Sequence, residues 1–457
     1  MPSLTAASAR TSALVVASVG TFLVMLAYTA IVPSIASTTA ALHADAEGRA
    51  WFVSSMSIGL AASLLATGAV ADVHGRRRAF VAGAIALAAS SVLAALAPSI
   101  VLLVIARVLQ GFGGAALTSC SLGILGATFH EPSERIHATA IWGASLGAGI
   151  SAGPLVGAGL ELAFDWRAVH WACALVAIAV AAAGSSMLVE SRAASSTRVD
   201  YVGSVLLVLG SIALLGGLTE LRGGAAGAAT FALLALGLVG TGAFVASQKL
   251  RANRILDLAL FRRADFTGAT IAAFATGLGV ISTMSFLPTL AVRALGIGLF
   301  PAATLVVVWS ALSVVSSIAV RKAPNVGSPR MRLAVGLGGV GIGQLALAFV
   351  APSSSYASLV PALVVAGVAS GVLNSTLARQ AVASVPRDAA AMGSGANNSA
   401  RYLGAAFGLT LVAMIVKGSD AASFAASWNF ATRIGAGFSF VGMMIVLACR
   451  WPTKDTG

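Results

Sequence analysis

Fourteen long runs of mostly apolar residues divide this chain, and each run is about as long as a helix that crosses a lipid bilayer. A spanning helix needs about 20 such residues, and the connections between the runs are short and polar or rich in Gly and Pro. The runs cover residues 12–36, 50–71, 79–97, 100–127, 138–160, 170–189, 201–221, 226–247, 266–292, 299–320, 331–351, 357–383, 390–416 and 430–450. The pattern predicts an all-α polytopic membrane protein with 14 transmembrane helices.

Charge is scarce, which excludes most soluble classes of protein. Only 9% of the 457 residues are charged, whereas 58% are hydrophobic. A soluble domain carries about 25% charged residues, so water cannot solvate this chain as a globule. An ordinary soluble enzyme, a disordered tail and a nucleic-acid-binding domain are therefore excluded, although the net charge is +13. The expected surroundings are a lipid bilayer, and no nucleic acid is expected as a partner.

The positions of Lys and Arg predict how the helices are oriented. Most cations fall in alternate connections, for example Arg76 to Arg78 and the stretch 249–263. Because cytoplasmic loops carry an excess of Lys and Arg, both termini are predicted to be cytoplasmic. The spacing also predicts a six-plus-two-plus-six layout, in which residues 1–190 and 265–457 form two lobes of six helices. An inserted two-helix hairpin with its linkers covers residues 191–264.

The connection between the second and third runs carries the most specific motif. Its glycines, acid and arginines are Gly68, Asp72, Gly75, Arg76 and Arg77. Glycine permits a tight turn, and Asp72 can pair with an Arg or accept from a helix N-terminus across an interface. The segment resembles the G-x-x-x-D-x-x-G-R-R loop of the major facilitator superfamily, with Val73 where that family usually has Arg.

The fourth run contains an arginine and a glutamine in apolar surroundings. Arg107 and Gln110 match the R-x-x-Q-G-x-G pattern of the same superfamily. An Arg inside an apolar helix is costly and points to a functional site. Because Arg does not release a proton in proteins, its expected role is to lower the pKa of a neighbouring carboxylate or to anchor an anion. Arg401, in the thirteenth run, is a second intramembrane arginine with an expected role in coupling.

The fifth run carries the motif that best separates export from import. Gly149, Gly153, Pro154 and Gly157 resemble the G-x-x-x-G-P-x-x-G-G motif of antiporters in the superfamily, with Ala158 in place of the last Gly. Together with the segment 397–404, this motif resembles the fourteen-helix drug:proton antiporter branch. The resemblance implies a monomeric secondary transporter in the plasma membrane that exports small amphipathic or drug-like molecules by alternating access, in exchange for protons.

By analogy with the family, helices 1, 4, 5, 9, 12 and 13 line a central cavity. Met and aromatic side chains make adaptable apolar contacts that suit varied lipophilic ligands. The candidate substrate-binding residues are Phe22, Met25, Tyr28, Trp142, Phe286, Asn374, Asn397 and Asn398. No cofactor and no metal site are expected, since the five histidines are scattered.

One departure from the family pattern leaves alternatives open. Members of the branch often carry an acid on helix 1 nine positions before a Pro, and here that position is Val24. A cavity carboxylate normally attracts a cationic drug and carries the proton. Its absence leaves open a proton-independent facilitator, an anion-coupled carrier of a small metabolite, or a sensor or scaffold that does not transport.

Overall fold

The computed structural model describes residues 6–192, 199–224, 226–250, 254–320, 327–386 and 390–451. Helices are the regular elements throughout this part of the chain, and it contains no strand. Several cations used in the orientation prediction lie outside the described residues, namely Arg198, Arg251, Arg321, Lys322, Arg387 and Lys454.

Fourteen long helices follow the fourteen predicted runs. They are α1 (Ala6–Thr29), α2 (Ala46–His74), α3 (Arg76–Ala95), α4 (Ile100–Thr128), α5 (Pro132–Ala163), α6 (Ala168–Met187), α7 (Tyr201–Gly223), α8 (Ala228–Leu250), α9 (Ala264–Leu295), α10 (Leu299–Ala319), α11 (Pro329–Ala346), α12 (Tyr356–Ala383), α13 (Ala390–Ile415) and α14 (Ala421–Ala448). Thirteen of them are long and apolar enough to span a membrane. The other is α13, whose 26 residues include Asn397, Asn398 and Arg401. The predicted all-α polytopic class is confirmed.

Many of these helices begin at a polar N-cap residue. Its side chain accepts a hydrogen bond from a backbone N–H of the first turn, which has no partner inside the helix. The capping residues include Asp45, Ser99, Asp200, Ser328, Ser355 and Asp420. At α14 the backbone N–H and the hydroxyl of Ser423 hold the pKa of the Asp420 carboxyl below its usual value. The helix starts are therefore set by local chemistry that the sequence displays.

Two helices depart from the predicted runs. The first run was expected to extend to residue 36, but α1 ends at Thr29, and a turn leads into a short helix, Ile35–Ala41. Pro33 explains the break, because proline has no N–H to donate and disfavours helical geometry in the residue before it. The helix α9 stays continuous but contains a π-helical turn over Thr276–Ile281.

The helices pack in two sets that repeat the same pairing. In the first set α1 packs on α5, α2 and α3 pack on α4, and α3 packs on α6. In the second set α9 packs on α13, α10 and α11 pack on α12, and α11 packs on α14. The two sets meet where α2 contacts α13 and where α5 contacts α10, while α7 lies against α2 and α13 and carries α8 on its other side.

The crossing of α1 and α5 depends on Gly149, Gly153 and Gly157, three of the glycines of the fifth run. A Cβ atom at Gly153 would overlap the Thr29 hydroxyl, and one at Gly157 would overlap the Ala30 carbonyl oxygen. Pro154 lacks an N–H, so the carbonyl of Ile150 loses its helical partner. The Thr29 hydroxyl donates to the Met25 carbonyl on α1 over 3.0 Å and also lies 3.4 Å from the Ile150 carbonyl oxygen, so its hydrogen is shared between the two acceptors. Small residues let the helices approach closely, and the broken backbone bond is replaced in part across the contact.

We expect Gly157→Val to destabilise the protein, because the added side chain cannot fit against Ala30. Overpacking of this kind costs about 1–3 kcal/mol, which a lower melting temperature of the purified protein in detergent would register. The control is Gly159→Val on the same helix, since a Cβ at Gly159 meets nothing within 4 Å. Equal melting temperatures for the two variants would contradict the packing role of Gly157.

Candidate functional site

The end of α2 and the start of α3 form a buried ion pair on a glycine turn. Asp72 and Arg76 are 4% and 2% exposed, and Arg76 Nη2 lies 2.8 Å from Asp72 Oδ1. Gly75 between them has a φ of +118°, which favours glycine. Such a buried pair is rigidly held, because removing either partner would leave a buried charge uncompensated.

A second carboxylate, on the segment after α6, holds the start of α3. The backbone N–H groups of Arg77 and Arg78 donate to the Glu190 carboxylate over 3.0 and 3.2 Å. The Arg77 side chain donates in turn to the carbonyl of Ser185. A carboxylate at a helix N-terminus is favourable, since the helix dipole is positive there. Gly68, one turn before Asp72, is buried in α2.

Asp72 also joins the two sets of helices. Its Oδ2 atom accepts from the backbone N–H of Met392, in the first turn of α13, over 3.0 Å. We call Asp72, Arg76 and Met392 the latch. Next to it, Gly395 on α13 packs on the backbone of Leu64, and the Ser399 hydroxyl donates to the Ala61 carbonyl over 3.4 Å. The bundle is therefore closed at this end, where α2 meets α13.

At the opposite end of the bundle, the segment that follows α1 and the start of α2 stand apart from α9. A cleft of about 440 Å³ lies there, which is in the size range of sites for small molecules. Its lining residues are Val32, Pro33, Ile35, Ala36, Thr39, Ala40, Ala44, Arg49, Pro288, Thr289, Val292 and Arg293. Two arginines and no acid are among them, so the entrance carries positive charge.

Arg107 is fully buried on α4. Its Nη1 atom donates to the Ala27 carbonyl over 2.9 Å and to the Gln110 side-chain oxygen over 3.1 Å. Gln110 is fixed in turn by its own donation to the Ser91 hydroxyl. The guanidinium lies 6.0 Å from the centre of the Phe52 ring, at the limit of a cation–π contact. Its Nε and Nη2 atoms have no hydrogen-bond partner among the described residues.

Two of the candidate substrate-binding residues meet around a tyrosine that was not singled out. The rings of Tyr28 and Tyr402 pack edge to face with their centres 6.4 Å apart. The Tyr402 hydroxyl lies 3.5 Å from the sulfur of Met25. These contacts join α1 to α13 near the middle of the bundle. Tyr402 is visible in the sequence only as the neighbour of Arg401.

Other candidates hold helices together. The Trp142 indole, 2% exposed, donates to the Thr21 hydroxyl over 2.7 Å and so joins α5 to α1. Asn397 donates to the Ala269 carbonyl on α9, and Asn398 donates within its own helix. Asn374 reaches the Ser313 hydroxyl on α10 at 3.5 Å. These side chains are engaged in packing and hydrogen bonding in this conformation.

The remaining candidates, Phe22 and Phe286, are partly buried. The backbone of Phe22 packs where Gly149 lacks a side chain, and Phe286 packs against the apolar core of the second set of helices. Residue types alone do not reveal which way a helix is rotated, and therefore do not separate packing positions from those that face a cavity.

Sequence reasoning missed a polar group that supports the π-helical turn in α9. Gln344, fully buried on α11, donates to the Gly279 carbonyl over 2.8 Å and to the Thr283 hydroxyl over 3.2 Å. Ser439 on α14 donates to the Gln344 side-chain oxygen over 2.8 Å. A π-helical turn leaves carbonyls out of register, so it needs such partners. A lone Gln inside an apolar run was the available signal.

These features define a polytopic helical membrane protein that is closed by a charged latch at one end and open at the other. Residues 17–409 match the family model described as Major Facilitator Superfamily. Multidrug efflux pump LfrA of Mycolicibacterium smegmatis is 31% identical over 365 residues, which cover 80% of this chain and 72% of that protein. Multidrug resistance protein Stp of Mycobacterium tuberculosis is 27% identical over 413 residues, covering 89% and 76%.

The human organic anion transporter MFSD10 superposes with a TM-score of 0.68 over 96% of this chain and 99% of its own, at 17% identity, a likeness that shows the fold alone. The chain belongs to the Major Facilitator Superfamily. It is a multi-pass plasma-membrane protein and a secondary transporter.

Replacing Asp72 with Asn should open the closed end. The change removes the negative charge that pairs with Arg76. It also weakens the hydrogen bond from the Met392 N–H, because charge-assisted hydrogen bonds are roughly twice as strong as neutral ones. A Cys introduced at Ser399, which is 9% exposed beside the latch, should then react severalfold faster with a maleimide. Cys120 and Cys173 are buried and should contribute little background, whereas Cys449 is partly exposed and is replaced by Ser in the parent protein.

The control for this experiment is Asp265→Asn. Asp265 pairs with Arg263 over 2.8 Å at the start of α9, and both residues belong to the same helix end. Its loss removes an equal charge without touching the contact between α2 and α13. If both variants labelled at the same rate as the parent, the latch would not hold this end closed.

Proposed function

We propose that this transporter exports small amphipathic, drug-like molecules by alternating access. The supporting observation is the asymmetry of the bundle: Asp72 binds the start of α13 at one end, while a cleft of about 440 Å³ opens at the other. The latch end is assigned to the cytoplasm, as the arginines at residues 76–78 suggest. On this assignment the described conformation is outward-open. The names of LfrA and Stp, multidrug efflux and resistance proteins, support export as the direction.

In the proposed cycle, residues 1–190 and 265–457 act as two lobes that tilt around a central site. The repeated pairings, α1 with α5 and α9 with α13, supply the matching halves that such a motion requires. Breaking the latch frees α13 from α2, and closing the outer end brings the segment that follows α1 and the end of α9 together over the cleft. The inserted hairpin, within residues 191–264, packs more extensively on α2 than on α13, and in the proposed cycle it moves with α2.

A proton gradient is the proposed energy source, with one molecule acting alone. Proton antiport is typical of relatives in the fourteen-helix branch, and no second subunit is needed to build the latch or the cleft. Arg107 would act in the cycle by holding α4 to the Ala27 carbonyl of α1 and by responding to charge in the cavity. Arg107 does not itself carry the proton, because an arginine side chain does not release a proton in proteins.

A second candidate is a carrier that works without protons. The observation that favours it is the chemistry of the interior: Val24 occupies the position of the usual acid, is fully buried, and packs where Gly114 lacks a side chain. The sequences of α1, α4 and α13 contain no Asp or Glu. A carboxylate that could bind and release a proton is therefore missing from these three helices.

Purified protein in lipid vesicles with an imposed pH gradient tests the proposal. We expect export of a lipophilic test compound that stops when a protonophore collapses the gradient, and loss of most of that rate in Arg107→Ala. Export that persists at full rate with the protonophore would select the second candidate. Transport itself would be contradicted by two results together. No compound of a broad panel would move in the vesicles, and the Asp72→Asn and Arg107→Ala variants would be indistinguishable from the parent in resistant cells.

A further inference from the structure

Three arginines on helices that meet inside the bundle form no ion pair with an acid of the described residues. Arg107 on α4 is 0% exposed, Arg401 on α13 is 5% exposed, and Arg222 near the end of α7 is partly buried. Within the described residues, none of the three has a carboxylate within ion-pair distance. A charge removed from water is costly unless it is paired. The structure therefore leaves a strong demand for negative charge at its centre.

The protein satisfies these guanidinium groups only in part. Arg107 donates from Nη1 alone, while its Nε and Nη2 have no partner in the described part of the chain. The Nε atom of Arg401 is likewise buried without a partner there. Arg222 donates from Nη2 to the Ala50 carbonyl and the Ser54 hydroxyl on α2. The partners are neutral groups, so the positive charge is solvated but not neutralised.

The three arginines surround one place in the bundle. Arg107 donates to the Ala27 carbonyl beside Tyr28 and lies 6.0 Å from the centre of the Phe52 ring on α2. Arg222 donates to Ala50 and Ser54 on the same stretch of α2, and Arg401 precedes Tyr402 on α13. Tyr28 and Tyr402 are themselves packed edge to face. The charges therefore converge on the aromatic pair between α1 and α13.

The nearest candidate for a counter-charge is occupied elsewhere. Glu220, two residues before Arg222 on α7, accepts from the Thr230 hydroxyl on α8 over 2.8 Å and is 9% exposed. A positive lining in a low-dielectric setting attracts anions and repels cations.

We propose that the exported molecule binds as an organic anion, with a carboxylate or similar oxyanion between Arg107, Arg222 and Arg401 and an apolar body against Tyr28, Tyr402 and Met25. The fork of N–H donors on Arg matches the two oxygens of a carboxylate, and the unpartnered donors are the ones such a group would fill. The inference rests on the proposed export function and is independent of the energy source.

Two dyes that share a xanthene ring but differ in charge test this inference directly. Fluorescein is an anion at neutral pH, and tetramethylrhodamine ethyl ester is a monocation. Anisotropy titrations of the purified full-length protein in detergent should show fluorescein bound at least about tenfold more tightly. Arg222→Gln and Arg401→Gln should each weaken fluorescein binding by about tenfold, as expected for the loss of a charge-assisted hydrogen bond, and should not weaken binding of the cation.

The matched control is Arg433→Gln, which removes one positive charge from an exposed position near Phe349 and should leave both affinities unchanged. Arg401→Lys should restore part of the fluorescein affinity, because the charge remains. Arg222 is partly exposed, so its variant should fold even if the Arg401 variants do not, and gel filtration checks this.

Binding of the cation as tight as that of fluorescein, no measurable binding of fluorescein, or fluorescein affinity unchanged in Arg222→Gln would each overturn the inference. The vesicle assay separates this failure from that of export. If only the cationic dye is exported, the proposed export function holds and the inference of an anionic substrate is wrong. If fluorescein binds selectively but no compound is exported, the inference of an anionic ligand holds and the proposed export function is wrong.

Discussion

Hydrocarbon offers no hydrogen-bond partner, so every backbone group and charge inside this bundle must find one within the protein. Helices meet that demand except where they are interrupted, and there a neighbouring helix substitutes. The Ile150 carbonyl, freed by Pro154, shares the Thr29 hydroxyl with the Met25 carbonyl, and the Gly279 carbonyl of the π-helical turn takes the Gln344 amide. Each interruption thereby binds two helices together, and each lies on a helix, α5 or α9, that reaches the central region.

The two ends of the bundle are held by interactions of different kinds. At one end a buried carboxylate joins Arg76 to the start of α13, an arrangement that is made or broken as a unit. At the other end the cleft separates the segment that follows α1 and the start of α2 from α9. A buried charged contact is either intact or broken, and packed helix interfaces likewise switch between discrete arrangements. In the proposed cycle, the state of the latch sets which end of the bundle is open.

The fold was readable from the sequence because the length of an apolar run is a local property. The motif of Asp72 and Arg76 was readable for the same reason, since both residues lie within one turn of the chain. The π-helical turn was not, because its support comes from Gln344 on another helix. Trp142 and Met25 show a further limit: both were singled out by residue type, yet the first binds Thr21 inside a helix contact and the second reaches Tyr402. The rotation of a helix about its axis decides whether a side chain packs against a neighbouring helix or faces the cavity. That rotation cannot be predicted from a run in which nearly all residues are apolar.

The positive charge inside the bundle also bears on the free energy of moving a charged substrate across the membrane. Moving one elementary charge through the membrane potential is worth about 2.3 kcal/mol per 100 mV, and the inside of a cell is negative, so an anion leaves downhill while a cation leaves uphill. A cationic substrate needs a counter-charge in the cavity and an imported proton to offset that work. An anionic substrate needs neither. Arginines at positions 107, 222 and 401, with Val24 where an acid would sit, are the residues expected of a carrier whose substrate itself supplies the negative charge.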